Sequence, residues 1–200
     1  MTFVRKAVTL LAIAMFAGAA LAADAVTYKE FVEGSPKAKV TVVEYASLTC
    51  PHCARFFLNS YPLLKKEYVD TGKVKFIYRD FPTAPETLAL AGAMLARCAP
   101  GKNGMKVIEA IYKGQDKWYE DPEKNFRQYA KDNGIDDAAF DACLQNKELQ
   151  NTIMTGINKA VTDYHISSTP SFLVNDTLVE GEIYAPLKEA IDKALGVTKS

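Results

Sequence analysis

The apolar pattern of this chain switches from alternation to helical spacing and back, and the switches mark its elements. Val40-Thr-Val-Val-Glu-Tyr45 and Val74-Lys-Phe-Ile-Tyr78 are short runs of β-branched and aromatic residues, which suit a pleated, buried surface. Between them, Ala54-Arg-Phe-Phe-Leu58, Leu63-Leu64 and Tyr68 recur at helical spacing, so a helix is predicted over 54–68. Pro62 is expected to kink it, because its ring clashes with the preceding turn and it has no N–H to donate. Asp70-Thr-Gly72 supplies a stop. Strand, helix and strand together have the size of a βαβ crossover.

From about residue 83 to 165 the pattern is helical throughout. Helices are predicted at Glu86–Cys98, after Pro85, at Met105–Tyr112, at 125–131 before Asn133-Gly134, at 136–145 and at 149–164. Strands return at Ser171–Val174 and Thr177–Glu180, with a turn at Asn175-Asp176, and a last helix spans 185–195 before Gly196. The pattern describes an α/β core interrupted in its middle by a helical segment.

The first 22 residues read differently. Arg5 and Lys6 precede an apolar run from Ala7 to Ala17, and Ala20-Leu-Ala22 has the small-x-small form of a signal-peptidase site. The run is shorter than the roughly 20 residues of a membrane span, so export with cleavage after Ala22 is expected. Residues 23–200 then suffice for one well-buried core. The 24 basic and 24 acidic side chains balance, and losing Arg5 and Lys6 leaves −2. Nothing in that charge points to nucleic acid as a partner.

Cys50-Pro51-His52-Cys53 carries the candidate chemistry, at the junction between a predicted strand and a predicted helix. The thiolate is the reactive form of cysteine, and a helix start or a nearby positive charge favours it. All four cysteines lie in the exported part, where thiols can oxidise. Three pairings are open. The short spacing of Cys50 and Cys53 favours a local pair and leaves Cys98 with Cys143. Closing that second loop, about 46 residues, would contribute roughly 4 kcal/mol as a structural staple. Zinc is disfavoured: a structural site needs four ligands, and only the distant Cys98, Cys143 and His165 could complete one. No metal and no cofactor is expected. His165 reads as an ordinary surface or packed residue.

The strand ending in Glu44-Tyr45, the Cys50-Pro-His-Cys53 motif and Ser168-Thr169-Pro170 before a strand resemble the thioredoxin superfamily. With the helical segment, Tyr78-Arg-Asp-Phe-Pro82 and Pro170-Ser-Phe-Leu-Val174, the chain is similar to DsbA-type thiol:disulfide oxidases of the bacterial periplasm. The resemblance implies a thioredoxin fold with an inserted helical domain at about 83–165. It implies that Cys50 attacks and Cys53 resolves, with Pro51 and His52 tuning Cys50. It implies that Pro170 is a cis-proline, leaving the Thr169 backbone to pair with an extended substrate. Glu44 matches a buried acidic position that helps proton transfer at the resolving cysteine; a partly solvated strand residue is the alternative.

The implied function is oxidation of reduced, unfolded exported proteins by the Cys50–Cys53 disulfide, followed by reoxidation by a DsbB-like, quinone-linked membrane oxidase. A disulfide isomerase or reductase of the same fold is the nearest rival, and a non-redox peptide-binding chaperone the next. Isomerases of this group resemble oligomers built through an added N-terminal domain. Here only residues 23–38 precede the first predicted strand region, which favours a monomer.

Overall fold

The computed structural model describes residues 27–197; the expected leader at residues 1–22 lies outside them. Five strands form one sheet: β1 (Phe31–Gly34), β2 (Val40–Ala46), β3 (Val74–Asp80), β4 (Ser171–Val174) and β5 (Thr177–Glu180), in the order β1-β3-β2-β4-β5. β2 and β3 are parallel, with Val40 opposite Val74 and Ala46 opposite Asp80, and every other pairing is antiparallel.

The parallel pair requires a crossover. It begins with α1 (Pro51–Arg55), passes a π-helical turn at Phe56–Ser60, and continues as α2 (Tyr61–Leu64) and a second π turn at Lys65–Val69. Pro62 lies in the first turn of α2, and just before it the Tyr61 N–H reaches back five residues to the Phe56 carbonyl. The widened turn accommodates the proline inside the helical run. Gly72, at φ +75°, follows the helix and leads the chain into β3.

α3 (Glu86–Cys98), α4 (Gly104–Lys113), α5 (Pro122–Asp132), α6 (Asp137–Leu144) and α7 (Lys147–Tyr164) lie between β3 and β4, and α8 (Tyr184–Leu195) closes the chain. Asp121, Asp136 and Asn146 cap α5, α6 and α7 by accepting first-turn N–H groups. A disulfide joins Cys98 on α3 to Cys143 on α6, with Cα atoms 6.1 Å apart.

Because side chains alternate across a sheet, the two faces have separate cores. Val40, Val42, Phe76, Tyr78, Phe172 and Val174 pack with Phe56, Leu64, Leu95, Ile108 and Leu187 from the helices. Val43, Tyr45, Ile77 and Leu173 pack on the other side with Ala160 and Ile166. Both faces are covered, so the central strands read as continuous apolar runs.

β1 escaped the sequence reading. It is a four-residue edge strand with only alternate residues half-buried, and its antiparallel partner β3 is over 40 residues away. Its Phe31 fits against Gly104, where an added Cβ would lie 2.3 Å from the ring and 2.6 Å from the Ala96 carbonyl. Arg97 fastens the same edge. Its Nε donates to Asp80 Oδ2 at 2.8 Å, Nη1 to the Lys29 carbonyl and Nη2 to the Tyr78 carbonyl. The guanidinium lies 3.8 Å from the centre of the Phe31 ring. Both side chains of the Arg97–Asp80 pair are buried.

Removing one partner of a buried pair strands the other charge. Arg97→Met is therefore expected to lower the unfolding free energy by about 3–5 kcal/mol, measured by urea titration. Parental stability in that variant would show that Arg97 contributes by packing alone.

Candidate active site

The loop leaving β2 ends at Cys50, whose extended backbone (φ −83°, ψ 119°) occupies the N-cap of α1. The first N–H groups of a helix have no partner within it, and an N-cap oxygen commonly meets them. Here the cap side chain carries sulfur, near the backbone N–H groups of His52 and Cys53. Pro51 follows at the first helical position, where a missing N–H costs nothing.

Both thiols are free. Cys50 keeps 9% of its surface exposed and Cys53 none, so only Cys50 can meet a second protein. The neutral Cys50 thiol donates to the Thr169 carbonyl at 3.2 Å. Its pKa is lowered to about 5. The hydrogen bond from the Cys53 thiol is the main cause, opposed by burial, with support from the Thr169 side chain and the Cys53 and His52 N–H groups. Cys53 moves the other way. Burial pushes its pKa well up, and its hydrogen bond with Cys50 and the charges of Cys50 and Glu44 add to the rise. At neutral pH one thiol of the pair is ionised and its neighbour is not.

Glu44 shares a strand face with Val42 and Ala46, so alternation along β2 turns it toward the core that contains Cys53. It is fully buried and not partly solvated, and neither carboxyl oxygen has a hydrogen-bond partner among the described residues. Burial, and then the charge of Cys50, hold its pKa well above the usual carboxyl range, so it keeps its proton to higher pH than a solvated carboxyl does.

The Thr169–Pro170 bond is cis, with Pro170 buried and Thr169 half-buried. The chain brings this bond to Cys50 across 119 positions of sequence. His52 is exposed, with Nδ1 3.0 Å from Glu182 Oε2 and 2.8 Å from Arg55 Nη2. Arg55 grips Glu182 through Nε to Oε2 at 2.8 Å and Nη2 to Oε1 at 3.1 Å, and holds the Glu182 carboxyl below its usual pKa. Sequence reasoning missed this ion cluster. Arg55 lies one helical turn from His52 and could have been proposed as its neighbour; Glu182, 127 positions from Arg55, gave no local signal. Gln115 and Tyr112 also reach the Cys50 loop, from the helical segment.

The other candidates lie elsewhere. Cys98 and Cys143 are paired with each other. His165 is exposed and closes α7 in the left-handed conformation, φ +56°. A cavity of about 840 Å³ between the sheet and α7 is lined by Tyr28, Tyr45, Arg79 and Lys159 among others, and by none of the candidate residues.

A thiol of lowered pKa that keeps a small accessible area, beside one that is fully buried and raised, set where a strand meets a helix, is the arrangement thiol–disulfide exchange calls for. Comparison with known proteins agrees. The sequence model of the Thioredoxin family matches residues 26–193. A Rickettsia bellii protein named as a protein-disulfide oxidoreductase is 32% identical over 184 residues, covering 88% of this chain and 70% of that protein. A Bacillus anthracis protein named as a disulfide bond formation protein D is 30% identical over 168 residues, covering 81% of this chain and 76% of that protein. The crystal structure of Wolbachia pipientis alpha-DsbA1 matches with a TM-score of 0.76 at 28% identity, covering 84% of this chain and 92% of that one. The chain belongs to the thioredoxin family, in its DsbA-like group of thiol:disulfide oxidoreductases. Some rickettsial relatives are longer, and the chain spans as little as 63% of their length.

The lowered Cys50 pKa fixes a pH dependence. The reduced protein is expected to gain thiolate absorbance through a midpoint near pH 5, well below the roughly 8.5 of an unfolded cysteine. The ionised thiol therefore stabilises the reduced fold fully above about pH 8.5, and this contribution is lost as pH falls through the folded pKa. The oxidised protein lacks it. Unfolding of both redox forms across this range checks the sign; a thiolate midpoint near that of free cysteine would contradict it.

Proposed function

We propose that this protein is an exported thiol:disulfide oxidase that passes the Cys50–Cys53 disulfide to pairs of thiols in folding proteins. The reading is carried by the placement of the two thiols: Cys50 at the helix N-cap keeps a small accessible area and has a lowered pKa, while Cys53, one turn on, is fully buried and raised. In disulfide exchange the thiol of lower pKa is the better leaving group, and a stabilised thiolate favours the reduced state.

In the forward reaction a substrate thiolate attacks Cys50 Sγ, and the Cys50–Cys53 bond breaks. Cys53 takes up a proton, for which neutral Glu44 is the proposed donor. The second substrate thiol, ionised, attacks the substrate sulfur of the mixed disulfide and expels Cys50 as thiolate. Two electrons pass from substrate to protein, and the substrate leaves as a disulfide. Thr169 and Pro170, beside the reacting sulfur, are proposed to hold the substrate chain. Pro51 and His52 support the Cys50 thiolate through the geometry of the first turn.

The same reading assigns the remaining roles. The leader is cleaved near Ala22 and the mature protein works in the periplasm as a monomer, with residues 83–165 as an inserted helical domain. A DsbB-like, quinone-linked membrane oxidase restores the disulfide, and Cys98–Cys143 is structural.

Equilibration with glutathione tests the central claim. The Cys50–Cys53 disulfide is expected to be reduced by glutathione mixtures too weak to reduce thioredoxin, and to oxidise a dithiol peptide. A potential as low as thioredoxin's would point to a reductase. The role of Glu44 has its own test: Glu44→Leu removes a buried carboxyl without partners, so stability is expected to rise by about 1–3 kcal/mol while the exchange steps at Cys53 slow. Unchanged exchange kinetics in a more stable variant would remove Glu44 from the proton path.

A further inference from the structure

Side chains of the helical segment hold the loop that carries Cys50. Gln115 stands just beyond α4, and only 9% of its surface is exposed. Its Nε2 donates to the Leu48 carbonyl at 2.9 Å and to the Cys50 carbonyl at 3.1 Å. Tyr112, on α4, donates its hydroxyl to the Ser47 carbonyl at 3.3 Å. The Cys50 carbonyl also accepts the Ala54 N–H at 3.1 Å, which is the first bond of the helix. One lone pair of that carbonyl thus serves the helix and the other serves Gln115.

The turn behind Gln115 is itself fixed. Trp118, fully buried, donates Nε1–H to the Ile111 carbonyl at 3.1 Å, and its backbone N–H bonds the Gly114 carbonyl at 3.0 Å. At Gly114 an added Cβ would lie 2.0 Å from the Tyr129 hydroxyl, so the turn has no room to shift toward that ring. Gln115 is therefore a donor on a rigid mount. It bridges the carbonyls on either side of Thr49 and sets the peptide geometry from which the Cys50 side chain leaves.

We propose that Gln115 is a positioning residue for Cys50: by clamping the Leu48 and Cys50 carbonyls it aims the sulfur at the open N–H groups of the first helical turn, and so makes the thiol's reactivity depend on the helical segment. The proposal rests on Cys50 being the reactive thiol, as argued above, but not on the direction of electron flow. Without the clamp two buried acceptors lose a donor, the turn relaxes, and the thiolate loses its aligned N–H partners.

The test uses the whole protein in both redox forms. Gln115→Met keeps the length of the side chain and removes its donors. Its Cys50 thiolate midpoint is expected to rise by about one pH unit, and its exchange constant with glutathione to move about tenfold toward the oxidised protein. The reduced form should lose more thermal stability than the oxidised form. Equal destabilisation of both forms, with midpoint and exchange constant unmoved, would mean that Gln115 only packs, and would overturn the proposal. Should Gln115→Met fail to fold, Gln115→Asn gives an uncharged comparison, since its shorter side chain keeps the amide but draws it back from the two carbonyls. A parent protein that proves a weak oxidant would refute the oxidase reading, while the variant-to-parent ratio still decides the role of Gln115.

Discussion

The site depends on what surrounds the Cys50 sulfur where the helical run opens: the Cys53 thiol first, then the Thr169 side chain and the backbone N–H groups of Cys53 and His52. The first N–H groups of a helix have no partner within it, and a sulfur at the cap stands close to them. Much of the fold serves this junction. The parallel pairing of β2 and β3 sends the chain from a strand end straight into a helix, and the core beneath α1 keeps water from the inner side of the turn.

The two thiols are separated by one turn of helix and differ by environment. Cys50, at the cap, keeps a small accessible area, and Cys53 has none and lies deeper in the core near Glu44. A carboxyl without partners in an apolar interior is costly, and no packing argument accounts for it. Its retention beside a buried thiol is understandable if proton movement at that thiol matters more than the stability lost. The Arg55–Glu182–His52 cluster lies on the solvent side, so the motif has a polar, ion-paired outer face and a buried inner one.

Much of this was legible in the sequence because much of it is local. Glu86–Cys98, Ser171–Val174 and Thr177–Glu180 coincide with the observed elements. β2 and β3 run on to Ala46 and Asp80, because the smaller and charged residues there still pair within the sheet. The crossover helix begins at Pro51 and not at 54, since Pro51 and His52 have no apolar signal and face solvent. The π turns were hidden because each shifts the apolar positions by only about one residue, within the scatter that helical spacing tolerates. Glu182 and Gln115 were hidden for another reason. They reach the motif only through tertiary structure, and a single polar residue in a turn has no pattern around it.

The Cys98–Cys143 bond has a consequence for how the protein is made. It ties α3 to α6, and Cys143 is buried once those helices have closed. Forming that bond removes two electrons from each newly made chain, so every copy consumes one oxidising equivalent of the kind its own site is proposed to supply. If the oxidase reading holds, chains that folded earlier are a natural source, and the capacity to make disulfides passes from one generation of molecules to the next.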